Sequence, residues 1–213
     1  MLDFEKDCKV YKIPQKIPMN FFDRFTPSMF ENYKIELCDK GIFKIYYSWI
    51  DQLKLHDKIV SREKKQVVFF YFKVLDSLFC FGDSESCISH SVKKLENNTL
   101  FKVSQVDVFN RINKYVLDKK TEPFSLVSIH YFQENSVFDK RDIQKFNVVG
   151  KNSQEVQNYL VNKDITNYLF YDEDTSNYFY IDKSSVISFD YNTNEKELLK
   201  MLEEFARFIN EKS

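Results

Sequence analysis

Val67–Val74, VVFFYFKV, is an almost unbroken apolar run of aromatic and β-branched residues, the pattern of a strand buried on both faces. Leu75-Asp76-Ser77 breaks it, and Leu78-Phe79-Cys80-Phe81 reads as a second strand, so the pair predicts a tight hairpin closed by Gly82-Asp83-Ser84. Asp83 or Ser84 then suits the N-cap of a helix over 85–96, in which Ile88, Val92 and Leu95 share a face and Lys93, Lys94 and Glu96 meet water. This β-β-α unit is the centre from which the rest of the chain is read.

Upstream, Ile13-Pro14 and Ile17-Pro18 predict an extended arm or edge strand, because a residue before proline is pushed out of the helical region. Thr26-Pro27 has the form of an N-cap and first-turn proline; with Phe30, Tyr33 and Leu37 on one face and Gly41 as a stop, it predicts a helix over 27–39. Ile42, Ile45, Tyr46, Trp49 and Leu53 fit a helical stripe over 42–55, although IFKIYYSWI is also rich in strand formers. The charged stretch 61–66 leads into the hairpin.

Downstream, Ser104-Gln105-Val106-Asp107 resembles a capping box ahead of a helix over 105–117 with Phe109, Ile112 and Val116 as its apolar face. Phe124–Phe132 and Lys145–Val149 are strand candidates, and Asn152–Glu155 caps a short helix holding Val156, Tyr159 and Leu160. Three short runs, Thr166–Tyr171, Tyr178–Asp182 and Val186–Asp190, have the spacing of an antiparallel meander. Asn194 caps a last helix whose stripe of Leu198, Leu199, Leu202, Phe205, Ala206 and Ile209 should lie on that sheet. The expected fold is α+β: mostly antiparallel sheet with helices packed on one face, in a single domain over 1–213. A helical or arm-like subregion over 1–60 and a C-terminal meander plus helix over 164–213 are its expected parts.

Composition narrows the function. With 31 Lys and Arg against 32 Asp and Glu, the net charge is −1. A duplex-binding protein usually carries a cationic excess, so bulk charge argues against phosphate-backbone binding while leaving nucleic acid open. A single alanine, Ala206, and three glycines against 22 phenylalanines are the mark of an AT-rich genome. The glycine scarcity also leaves no phosphate-cradling loop. The amino terminus lacks a basic start followed by an apolar stretch, and no run reaches the roughly 18–20 apolar residues of a membrane span. A soluble, cytoplasmic protein with reduced thiols at Cys8, Cys38, Cys80 and Cys87 is therefore expected.

Several local patterns carry candidate chemistry. Phe81-Gly82-Asp83-Ser84 resembles the first block of GDSL-type esterases, which would make Ser84 an acyl-accepting nucleophile. That family's Gly-x-Asn-Asp and late Asp-x-x-His blocks are missing, and the last histidine is His130, so Ser84 is expected to cap the helix. Cys80, Cys87 and His90 fall near one another on a strand end and a helix face, but zinc wants four ligands and usually two close pairs; no metal is expected. Asp172-Glu173-Asp174 with Ser176 starts like a calcium loop, yet Asn177 replaces the turn glycine and Lys183 the bidentate glutamate. Glu63-Lys64-Lys65, with Asp51 and Asp57, resembles the acid-x-lysine half of metal-dependent nucleases and defines the enzymatic alternative.

The surplus of tyrosines around the meander points elsewhere. Alternation puts Tyr178 and Tyr180 on one face and Phe179 and Ile181 on the other. Tyr168, Tyr171, Asp172, Asp174, Tyr178 and Tyr180 are accordingly the expected interface residues. The run NYFYIDKSSVISFDYNTNEKELLKMLEEFARFI is similar in pattern to the end of SUKH-superfamily immunity proteins, where a hairpin strand precedes a closing helix. With no catalytic set complete and no cofactor implied, the expectation is a non-catalytic factor that occludes or bridges an unidentified protein partner. Such a factor suits bacterial or viral conflict, as immunity, anti-phage or counter-defence. A metal-dependent nuclease and a single-strand nucleic-acid binder are the alternatives.

Overall fold

A computed structural model describes residues 4–13, 27–55, 58–99, 102–117, 124–135 and 140–211. The chain divides into two compact units, residues 2–106 and 107–213, each built on an antiparallel sheet with helices packed against it.

In the first unit, β1 (Asp7–Lys12), β2 (Glu31–Asp39), β3 (Ile42–Leu55), β4 (Lys58–Phe72) and β5 (Ser77–Gly82) precede helix α1 (Glu85–Thr99) and the two-residue strand β6 (Ser104–Gln105). The order is β2-β3-β4-β5-β1, with β6 on β1. The β4–β5 hairpin forms as expected except that β4 ends at Phe72, leaving Lys73 and the exposed Val74 in the turn, and both faces of Val67–Phe72 are buried: Val67, Phe69 and Tyr71 on one side, Val68, Phe70 and Phe72 on the other. Helix α1 covers the first of these faces, placing Cys87, Ile88, Val92 and Leu95 in one cluster with Phe43, Ile45, Tyr47, Phe69 and Cys80. On the second face Phe4 meets Phe70 and Phe81 at centroid distances of 5.8 and 5.2 Å, and the buried Lys44 ammonium lies 4.8–5.6 Å from the rings of Phe4, Tyr46 and Phe70.

The two helices expected over 27–39 and 42–55 are instead strands β2 and β3. Phe43, Ile45, Tyr47 and Trp49 alternate onto the helix-covered face, so period two overrides the coincident period of Ile42, Ile45, Tyr46, Trp49 and Leu53. Gly41, expected as a helix stop, is the φ +84° turn residue between these strands. The charged stretch 61–66 is continuous with β4, paired against Ser48–Leu53 of β3. Extended backbone near the amino terminus is found at β1, whose partners are β5 and β6; residues 14–18 and Thr26 lie outside the described residues.

The second unit contains α2 (Val108–Leu117), β7 (Phe124–Asn135), β8 (Lys140–Asn147), α3 (Ser153–Asn162), β9 (Asp164–Asp172), β10 (Asn177–Asp182), β11 (Ile187–Phe189) and α4 (Glu195–Glu211). Its order is β11-β10-β9-β7-β8, antiparallel at each pairing. The meander over 166–190 forms as expected. Helix α2 begins at Val108 rather than 105, because Asp107, not Ser104, caps it: Oδ1 accepts the Asn110 amide at 3.0 Å. Helix α3 starts after Asn152, whose Oδ1 accepts the Glu155 amide at 2.8 Å. Strand β8 ends at Asn147, before a turn at Gly150 with φ +79°.

Helix α4 lays Leu198, Met201, Leu202, Phe205, Ala206 and Ile209 on the sheet with no exposed area, while Leu199 sits half-buried at the stripe's margin. Phe205 is the centre of this layer, stacked on Phe124 at 4.6 Å and edge-on to Phe179 at 5.0 Å. No helix among the described residues is long and apolar enough to cross a membrane.

Candidate functional site

Alternation along β9 and β10 divides the six expected interface residues. Directly opposed antiparallel residues share a face, so Tyr171 with Tyr178, and Leu169 with Tyr180, stand on the side away from α4. Tyr171 and Tyr178 lie ring to ring at 4.9 Å, and Tyr178 and Tyr180 remain 44% and 40% exposed. Leu169 between them is buried. This is the pattern of amphipathic side chains on a half-wet sheet, the aliphatic residue buried and the tyrosines around it partly exposed.

Tyr168 and Asp172 belong to the other face. The Tyr168 ring is fully buried beside Phe109 at 5.3 Å, and its hydroxyl donates to Asn113 Oδ1 at 2.6 Å; burial drives this phenol well above its usual range. The Asp172 carboxylate, 1% exposed, accepts from the Asp174 amide at 3.2 Å and from the Thr175 hydroxyl. Neither adds accessible surface to an interface. Asp174 is exposed in the turn 173–176, next to Glu173, whose carboxylate accepts from Ser125 on β7 at 3.1 Å. The turn closes through Ser176 at φ +56°. The oxygens of Asp172 thus hold the turn's own donors, as an Asx-type turn does.

His130 joins this face and was not among the expected residues. It opposes Asn167 across β7–β9, its ring stands edge-on to Tyr180 at 6.1 Å, and Ser128 Oγ lies 3.4 Å from Nε2. Burial and the Lys145 charge lower its proton affinity, favouring neutral imidazole. Extending the alternation argument to FSLVSIHYF would have placed it there.

The other candidate chemistries are placed as follows. Ser84 Oγ accepts the Cys87 amide at 3.3 Å, an N-cap of α1. Cys80 and Cys87 are buried, with thiols pushed up by desolvation, while His90 lies exposed with its ring 4.8 Å from Trp49. The Lys65 ammonium is paired with Glu63 at 2.9 Å and Asp83 at 3.6 Å. Asp51 is exposed and opposes Glu63 across β3–β4; Asp57 lies outside the described residues. Among the described residues no group of three or more His, Cys, Asp or Glu side chains is placed to hold a metal ion. A cavity of about 400 Å³ opens beside α3, with Val116, Leu126, Val148 and Leu160 among its walls, and its Lys151 is paired with Glu155 at 3.3 Å.

The tyrosine face thus offers ring faces, hydroxyls and an acidic margin at one end. Glu173 and Asp174 form that margin, and the segment Asp172–Asn177 contains no lysine or arginine. No protein-family model matches the chain, and no curated protein does either.

Proposed function

We propose that the protein is a non-catalytic binding factor whose C-terminal sheet docks a protein partner bearing lysine or arginine side chains, which it occludes or bridges. The observation that carries this reading is the cluster of exposed Tyr178 and Tyr180 with half-buried Tyr171, beside the carboxylates of Glu173 and Asp174. Tyrosine ring faces attract cations, at about 0.5–1 kcal/mol each at exposed sites. A guanidinium over these rings also meets acceptor oxygens at the turn. Tyrosine is moreover, with tryptophan and arginine, one of the residue types enriched among the few side chains that dominate an interface.

A photo-crosslinking side chain introduced at position 178, compared with one at the exposed Val161 of α3, tests the reading in the native host. The expected result is a discrete cross-linked protein from position 178 alone, weakened by added salt and lost with Tyr180→Ala. Equal yields from both positions would overturn it. Incubating the purified protein with labelled DNA and RNA, with and without magnesium, separates the alternatives. Cleavage would transfer the assignment to a nuclease, and a salt-sensitive shift without cleavage to a nucleic-acid binder.

A further inference from the structure

The hairpin tip that margins the tyrosine face is tied to α4. Asn177 Nδ2 donates to Glu197 Oε2 at 3.2 Å, and the Thr193 hydroxyl donates to Asn177 Oδ1 at 3.1 Å. Two helical turns further along the same face of α4 stands Glu204. Its neighbour Phe205 stacks on Phe124, and Phe124 is the ladder partner of Asp172, so the Glu204 carboxyl is brought beneath the start of the turn. Glu204 Oε2 is buried there without a hydrogen-bond partner.

The charged groups facing Glu204 from the sheet side are acidic. Asp172 and Asp174 act on it from β9 and the turn, both raising its proton affinity. Strand β7 contributes Phe124 and Ser125 at this level, neither charged. From its own helix Arg207 is in reach, but the Arg207 guanidinium is already bonded to Glu203. Two ionised carboxylates are both acceptors and repel each other, whereas one shared proton turns the contact into a hydrogen bond. An unpartnered buried carboxyl oxygen beside another carboxylate is thus an arrangement completed by a proton.

We propose that Glu204 is a proton-controlled latch: protonated, it donates to Asp174 and holds the turn against α4; ionised, it releases the Asp174 carboxylate to the tyrosine face. The released proton goes to solvent, and the exposed Asp174 carboxylate is left with both oxygens free to accept from a cationic partner. Burial first, and then the charges of Asp172 and Asp174, push the Glu204 carboxyl from 4.5 up to about 7, with Arg207 opposing. The latch therefore closes below about 7 and opens above it, inside the range in which cellular pH varies. The consequence for binding rests on the tyrosine-face reading; the latch itself does not.

The test follows the backbone amides of Asp174, Thr175 and Ser176 by NMR in the full chain between about pH 5.5 and pH 8.5, a window spanning the raised value and excluding ordinary carboxylates. In the wild type these amides are expected to titrate with a midpoint near 7, and their hydrogen exchange to speed up on the alkaline side. Glu204→Gln should abolish both effects, because an amide donates to Asp174 at every pH. Asp174→Asn should retain a titration but move its midpoint lower, and His130→Asn should leave it in place. An unchanged titration in Glu204→Gln, or a Glu204 side-chain carbon signal with its midpoint below about 5, the ordinary range for glutamate, would overturn the latch. A cross-link lost while the titration persists would remove the binding reading and leave the latch standing.

Discussion

Glu31 ties strands β2 and β3 of the N-terminal unit to helix α1, and replacing it tests how that unit is held. Its carboxylate accepts from the Tyr47 hydroxyl at 2.9 Å and the Ser28 amide at 3.1 Å, and pairs with Lys94 of α1 at 2.8 Å. Burial alone would raise this carboxyl, but the bonds from Lys94, Ser28 and Tyr47 together outweigh it and hold it at about 2 instead of 4.5. At about 1.4 kcal/mol per unit that difference corresponds to roughly 3 kcal/mol. Solvent access to Lys94, whose side chain is 39% exposed, reduces the expectation to about 1–2 kcal/mol. Glu31→Gln keeps the shape and removes the charge. Because Glu31 opposes Trp49 across β2–β3 and Trp49 is the single tryptophan, urea titration followed by tryptophan fluorescence reads the unit directly. With a urea slope of about 2 kcal/mol per molar, the midpoint should fall by roughly 0.5–1 M at neutral pH. A carboxyl held below its unfolded value stabilises above that value and loses its contribution as pH falls through the folded one. The gap between wild type and variant should therefore be full above 4.5 and narrow on approach to about 2. Equal midpoints at neutral pH, or a gap as wide at about pH 3 as at about pH 7, would refute the assignment of Glu31 as an ionised hub.

Two further substitutions probe how the elements are joined. Gly82→Ala would bring a Cβ to 3.0 Å from Ile88 Cγ1 and 3.2 Å from Val67 Cγ2, so crowding should exceed the usual gain of replacing a strand glycine and lower stability by about 1 kcal/mol; a variant as stable as wild type by urea titration would show that α1 can step back from the hairpin. At the start of α4, Asn194 Oδ1 accepts the Glu197 amide at 3.0 Å and the Asn194 amide donates to Glu197 Oε2 at 3.2 Å. Removing this reciprocal cap with Asn194→Ala should cost about 1 kcal/mol while Asn194→Asp costs less, and equal thermal midpoints for both variants would show that it contributes nothing.

The parts of the fold legible in the sequence are those where one period stood alone. The β4–β5 hairpin has contiguous apolar runs and a polar break, α4 has a wide stripe behind an Asn cap, and the meander has three short runs parted by the polar segments DEDTSN and KSS; all three elements formed. Strands β2 and β3 carried two periods at once. Their side chains satisfy a helical stripe through Tyr33 and Leu37, yet Leu37 is 64% exposed at the strand end, just before a register shift, while Tyr33 and Tyr47 stack at 4.5 Å on the face under α1. What decides between the periods is the neighbour: β3 finds fourteen ladder partners in β4, long-range contacts that no local window contains.

The same reasoning separates the readable from the unreadable parts of the site. Tyr178 and Tyr180 were placed correctly by alternation from a strand whose faces are chemically distinct, Phe179 and Ile181 being the apolar pair. Tyr168 shares its residue type with them but sits one position out of phase with Tyr171, and in a sheet one position decides between core and water. Glu204 could not be found by any period, because its chemistry comes from burial in the fold and then from two carboxylates thirty or more residues upstream that only the β9–β10 hairpin carries to α4. Its position in the helix reads as ordinary half-exposed polar surface. A carboxyl acquires a raised proton affinity from what folding sets around it, and that of Glu204 is therefore a property of the α4–hairpin contact, which belongs to neither segment alone.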